Sequence, residues 1–155
     1  MRAVVLPPFW SLVEAHGDEL LAHARRMTDD QCAEDVLQDA LLRALRAYPR
    51  LRHADHLRAW LYRVTTTTAL DLHRRRRREI PTEEPPVQAV EAEYDDGAFE
   101  SLIAPLAPTA RDALRLRFVD DLDYDRIAAA LGTSPEAARQ RVSTAVRTLR
   151  ERVTA

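Results

Sequence analysis

Apolar residues recur along most of this chain at helical spacing, and the breaks between the repeats mark out the elements. The first helix is expected from about Pro8 to Met27. The segment Thr28-Asp29-Asp30-Gln31 reads as a capping box, with Thr28 as N-cap and Gln31 three positions on. It opens a helix with Ala33, Val36, Leu37, Ala40, Leu41, Ala44, Leu45 and Tyr48 on one stripe, ended by Pro49. A basic loop from Arg50 to His53 leads to a helix from about Asp55 to Arg78. Its inner face carries Leu57, Trp60, Leu61, Val64, Thr68 and Leu72. Its expected outward face carries Arg63, Thr66, Thr67, Leu70 and Arg74. Further on, Phe99 to Leu106 predicts a short helix, and Pro108 suits the first position of another ending near Phe118. Asp123 is the expected N-cap of Tyr124 to Leu131, and Gly132 suits a left-handed stop. Ser134 and Pro135 then open a final helix to about Val153, with Ala138, Val142, Ala145, Val146, Leu149 and Val153 as its apolar stripe.

Composition agrees with an all-α fold. Ala, Leu and Arg are strong helix formers and dominate the 155 residues, whereas Gly occurs 3 times. The turn glycines and β-branched runs of an all-β protein are missing. The single Cys excludes a disulfide framework and a Cys-based zinc site. No apolar run approaches the ~20 residues needed to span a bilayer, and the stretch before Pro7-Pro8 is too short for a secretory signal. The expectation is a cytoplasmic protein without a membrane segment.

Charge divides the chain. All 23 basic residues are Arg, against 25 acids, yet residues 1–78 carry net +4, residues 79–125 net −10 and residues 126–155 net +4. Two basic ends suggest two anion-binding modules. The segment 79–97, EIPTEEPPVQAVEAEYDDG, combines prolines and acids with no basic residue, so it is expected to be a linker. The domains are therefore placed at 1–78 and 98–155. Extended, the 19 linker residues reach roughly 65 Å, about the length of 20 base pairs.

A helix, a Gly turn and a second helix make a helix-turn-helix, whose second helix can enter the major groove of DNA. That helix presents Gln140, Ser143, Thr144 and Arg147 opposite its apolar stripe, with Arg139 and Arg150 on one flank. Gln and Arg are suited to bidentate contact with base edges. In the first module, the helix from Gln31 to Tyr48 turns Asp35, Gln38, Asp39, Leu42 and Arg46 outward. A leucine among carboxylates there marks a candidate partner surface. The Arg74–Arg78 run favours phosphate contact, and Trp60 and Tyr62 are candidates for stacking on unpaired bases.

Three stretches together resemble the extracytoplasmic-function group of bacterial RNA polymerase sigma factors: AEDVLQDALLRALRAY (33–48), RAWLYRVTTTTALDLHRRRRR (58–78) and LRLRFVDDLDYDRIAAALGTSPEAARQRVSTAVRTLRERV (114–153). The resemblance implies a sigma-2-like bundle and a sigma-4-like helix-turn-helix joined by the acidic linker. It implies that Asp35, Gln38, Asp39, Leu42 and Arg46 hold the beta-prime clamp of core RNA polymerase, with the beta flap a second contact. It implies that Arg50, Arg52, Arg63, Thr66, Thr67, Arg74, Arg75 and Arg76 melt and read the promoter −10 element. Arg139, Gln140, Ser143, Thr144 and Arg147, flanked by Arg141, would read the −35 element. An anti-sigma factor is a further candidate partner, and no cofactor or metal is implied. Two positions depart from the pattern, since members often carry Asn in the region of Thr67 and Arg at Thr144.

Rival functions remain open from the residues alone. A stand-alone helix-turn-helix regulator would need only 108–155 and leaves the clamp-like helix unexplained. A sigma-like interaction protein that has lost promoter binding would suit the departures at Thr67 and Thr144. An enzyme is disfavoured, because the chain has no Gly-rich phosphate loop, no ligand pair at i, i+4 and no nucleophile elbow.

Overall fold

The fold is that of a computed structural model, which describes residues 5–52, 54–78 and 96–154. The described residues form α1 (Phe9–Met27), α2 (Asp30–Ala47), a 3-10 turn (Tyr48–Arg50), α3 (Leu57–Arg78), α4 (Asp96–Ile103), α5 (Pro108–Phe118), α6 (Tyr124–Leu131) and α7 (Pro135–Thr154). No strand occurs among them. The expected linker lies outside the described residues up to position 95, and α4 already begins at Asp96.

Helices α1, α2 and α3 pack on one another. Leu20, Met27, Val36, Leu61 and Val64 fill their core, and Ala24, Ala33, Ala40 and Ala44 let the backbones approach closely. Arg43 of α2 bonds Asp71 of α3 at 2.8 Å. Tyr48 closes one end, with its ring edge-on to Phe9 at 5.2 Å and its hydroxyl donating to the Pro7 carbonyl. Helices α5, α6 and α7 make a second bundle around Leu114, Ile127, Ala138, Val142, Ala145 and Leu149. α4 lies against both α3 and the second bundle, where Phe99 and Ile103 are buried. A three-point bond from the Arg115 guanidinium to the Glu100 carboxylate, at 2.8–3.1 Å, fastens α4 to α5.

Two local expectations need correction. Asp29, not Thr28, caps α2: its carboxylate accepts from the Cys32 amide at 2.9 Å. The Thr28 hydroxyl instead donates back to the Ala24 carbonyl at 2.8 Å, finishing α1. Leu45, placed on the inner stripe of α2, is 48% exposed. At 100° per residue it sits on the edge of that stripe, where a neighbour is needed to cover it.

The larger correction concerns α3. Arg63, Thr66, Thr67 and Leu70 were expected outward and are all buried. One side of α3 meets α1 and α2, and the other is covered by α4, α5 and α7. The two bundles thus share one continuous apolar core. The burial of the four-threonine run is tolerable because each hydroxyl is satisfied within the helix. Thr65, Thr66, Thr67 and Thr68 donate to the carbonyls of Leu61, Tyr62, Arg63 and Val64 at 2.7–2.9 Å. An unsatisfied buried hydroxyl would cost about 1–3 kcal/mol.

Candidate nucleic-acid interface

The helix-turn-helix forms where the residues dictate. The Asp123 carboxylate accepts from the Arg126 amide at 2.9 Å and starts α6. Gly132 stops it at φ 66°, ψ 40°, a left-handed conformation that costs an L side chain about 1–2 kcal/mol. The Thr133 amide then closes back on Ala128 at 2.9 Å. Ser134 Oγ accepts from the Ala137 amide at 3.1 Å, with Pro135 first in α7. Ala138, Val142, Ala145 and Leu149 are buried, and this fixes the rotation of α7 about its axis.

That rotation leaves Arg139, Gln140, Arg141, Ser143, Thr144 and Arg147 exposed. They do not share one open face. Gln140, Arg141 and Thr144 border a groove that also takes in Thr109 and Ala110 of α5. Ser143 and Arg147 turn towards the first bundle and border a cleft there. Arg139 lies over the Tyr124 ring at 5.0 Å, and Arg117 lies over the same ring at 4.7 Å. Such stacking orients a guanidinium and leaves its N–H edge available.

On α2, Asp35, Gln38, Asp39, Leu42 and Arg46 are all exposed, as expected. Leu42 is 52% exposed, and Leu45 adds a second exposed leucine one turn on. The sequence reading missed Leu45. Its position at the stripe edge was the signal that could have placed it with Leu42. Two large apolar side chains ringed by carboxylates and amides form an apolar centre with a polar rim, the usual anatomy of a protein-binding patch.

The expected −10 set divides. Arg50, Arg52, Arg74 and Arg75 are exposed, and Arg76 lies in α3 with a side chain outside the described residues. Arg63, Thr66 and Thr67 are buried. The Arg63 guanidinium donates to the Phe118 carbonyl, which ties α3 to the end of α5. Trp60 and Tyr62, candidates for base stacking, are also buried. Tyr62 stacks on Phe118 with centroids 5.6 Å apart, and Trp60 packs near Tyr48.

His23 sits at the centre of this junction, 2% exposed, 4.9 Å from the Tyr62 ring and 5.5 Å from Phe118. Its Nε2 is 2.7 Å from Thr66 Oγ1. Thr66 already donates its proton to Tyr62, so His23 must be the donor, which makes it the Nε2-protonated tautomer. Burial, with a smaller contribution from Arg26, lowers its pKa from 6.5 to about 3, so the ring is neutral. Next to it, Arg58 of α3 pairs with Glu19 of α1 and with Asp121 at 3.4 Å, beyond the end of α5. His56 Nδ1 approaches the same Asp121 carboxylate at 3.9 Å. Asp121 holds a left-handed backbone at φ 54°.

The family models for Sigma-70 region 2 and Sigma-70 region 4 match residues 12–79 and 96–149. The chain is 31% identical over 153 residues to the RNA polymerase sigma-E factor of Streptomyces coelicolor, spanning 95% of this chain and 86% of that one. It is 46% identical over 76 residues to the ECF RNA polymerase sigma factor SigG of Mycobacterium tuberculosis. That match takes in 48% of this chain and only 20% of SigG. Among solved structures, the sigma factor RpoE of Bartonella quintana, crystallised with the anti-sigma factor NepR, aligns over 94% of this chain and 95% of its own. The identity is 23% and the TM-score 0.48. Among the described residues, no helix is long and apolar enough to cross a membrane.

Proposed function

The chain belongs to the extracytoplasmic-function group of the sigma-70 family, and from that membership we propose that it binds core RNA polymerase and directs promoter recognition, DNA melting and transcription initiation. It makes and breaks no bonds itself. It positions the polymerase and holds unpaired bases, offsetting an unstacking cost of a few kcal/mol per base. The α2 face of Asp35, Gln38, Asp39, Leu42 and Arg46 docks on the beta-prime clamp, and the second bundle reaches the beta flap. Arg139, Gln140, Ser143, Thr144 and Arg147 take the −35 element. Arg50, Arg52, Arg63, Thr66, Thr67, Arg74, Arg75 and Arg76 take the −10 element. The domains are those of residues 1–78 and 98–155, and the place of action is the cytoplasm, where the polymerase is.

The observation that carries this reading is the exposed leucine-centred patch on α2 in the same chain as a capped helix-turn-helix with polar α7 side chains exposed. A stand-alone DNA-binding regulator has no use for the α2 patch. The burial of Arg63, Thr66 and Thr67 favours a second reading, an interaction protein without promoter binding, unless the two bundles separate on the polymerase. Run-off transcription with bacterial core polymerase and genomic DNA decides between them. Transcripts that start only when this chain is added are expected; their absence, with core binding intact, selects the second reading.

A further inference from the structure

A cleft of about 330 Å³ lies between the two bundles. Four guanidinium groups line it: Arg26 from α1, Arg117 from α5, and Arg147 and Arg150 from α7. Among the described residues, no carboxylate lines it. Arg26 and Arg147 make no ion pair with any described residue. Arg117 spends one N–H on the Leu122 carbonyl at 3.0 Å while resting on Tyr124. Arg150 donates to the backbone carbonyl of Arg26 at 3.3 Å, across the boundary between the bundles. Ser143 and Tyr62 also line it, with His23 and Phe118 among the rest of the wall. The nearby Glu19 carboxylate is taken up by Arg58.

Converging like charges repel one another, and Arg26, Arg117 and Arg147 together raise the local positive potential of the cleft. The guanidinium fork matches phosphate oxygens two at a time, and planar stacking on Tyr124 holds one such fork in place. A single phosphate would satisfy one or two of the four groups. A di- or triphosphate chain offers enough oxygens for all of them and fits the volume. Duplex DNA does not fit between closed bundles.

We propose that this cleft is a binding site for a small polyphosphate anion, gripped by Arg26 from one bundle and by Arg117, Arg147 and Arg150 from the other. Because the ligand bridges the two bundles, it holds them together. The further consequence, that it opposes promoter binding by keeping α3 covered, rests on the function proposed above; the binding itself does not.

The test is isothermal titration of the full chain with sodium tripolyphosphate and, separately, with a nucleoside triphosphate and the matching unphosphorylated nucleoside. Saturable one-to-one binding of tripolyphosphate is expected, with a rise in thermal midpoint as ligand is added. Arg26→Gln and Arg147→Gln, one from each bundle, should each weaken it about tenfold or more. Arg25→Gln removes the same charge from the same helix outside the cleft and should leave the affinity unchanged. Equal affinity for both phosphorylated ligands identifies the phosphate chain alone as the ligand. Tighter binding of the nucleoside triphosphate identifies a nucleotide as its source. The site is refuted if tripolyphosphate does not saturate, if the bare nucleoside binds equally well, or if Arg25→Gln weakens binding as much as the cleft variants. Run-off transcription reads the other question separately, since anion binding can persist in a chain that fails to initiate.

Discussion

His23 shows how one residue ties stability to pH. In the folded chain it stays neutral down to about pH 3, whereas its ordinary value is 6.5. As pH falls below 6.5 the unfolded chain takes up a proton that the folded chain refuses. Its contribution is therefore complete above pH 6.5 and declines by about 1.4 kcal/mol per unit between 6.5 and 3. At pH 5 the penalty is about 2 kcal/mol, a sizeable share of a small domain's stability. His23→Gln keeps an N–H donor for Thr66 Oγ1 and removes the titration. In urea unfolding at pH 7.5 and pH 5, the wild-type chain should lose about 2 kcal/mol more than the variant. Parallel losses would mean that His23 reaches water. The neighbouring arginines obey a different accounting. Arg139 and Gln140 stand near the start of α7, the end that reaches base edges in helix-turn-helix proteins, whereas Arg150 lies turns away. A bidentate base contact discriminates by about 1–3 kcal/mol, and a phosphate contact is blind to sequence. In a selected −35 library, Arg139→Ala and Gln140→Ala should relax preference at particular base pairs, and Arg150→Ala should weaken binding evenly. The reverse pattern would mean that α7 docks the other way round.

At the scale of elements, α2 carries the most direct test. Asp35→Ala combined with Gln38→Ala removes two polar groups beside Leu42, and truncating the few residues that dominate an interface costs more than about 1 kcal/mol each. Affinity for core polymerase, measured by fluorescence titration, should fall by tenfold or more; no change would remove α2 from the interface. Elements whose signals are local were legible in the sequence. Asp123, Gly132, Ser134 and Pro135 define α6, its turn and α7 because each acts on backbone groups within four residues. The α2 cap was misplaced by one residue because Thr28 and Asp29 are both good caps, and only the Thr28 hydroxyl's bond back to Ala24 separates them. The exposed α2 patch was read from period alone, apart from Leu45. The outer side of α3 was not legible. Arg and Thr there suggest a solvated face, and the helices that cover it arrive from beyond residue 95. Periodicity finds the faces of a helix without telling how many of them acquire neighbours.

For the whole molecule, the docking of the two bundles is the variable that matters. It rests on the Tyr62–Phe118 stack, on Arg63 reaching the Phe118 carbonyl, and on Asp121 facing Arg58 and His56. Asp121→Asn keeps a residue that tolerates the left-handed backbone and deletes the charge. Partly exposed ion pairs contribute up to about 1 kcal/mol, so the ratio of docked to open molecules should drop by a factor of up to about five. Energy transfer between fluorophores on α2 and α6 should show a larger mean separation in the variant. An unchanged distance distribution would assign docking to the apolar contacts alone.

The threonine run gives that equilibrium an unusual property. A buried polar surface ordinarily resists exchange between partners, because its donors and acceptors must be re-matched each time. Thr65 to Thr68 carry their acceptors with them, one turn back on the same helix. To an approaching surface this part of α3 offers methyl groups, and its hydroxyl protons are already committed. Whatever lies against it, helix or solvent, inherits little hydrogen-bonding debt from the previous occupant. The threonine run is reversible by construction: apart from the Arg63 bond to the Phe118 carbonyl, this face can be uncovered and covered again without rewiring.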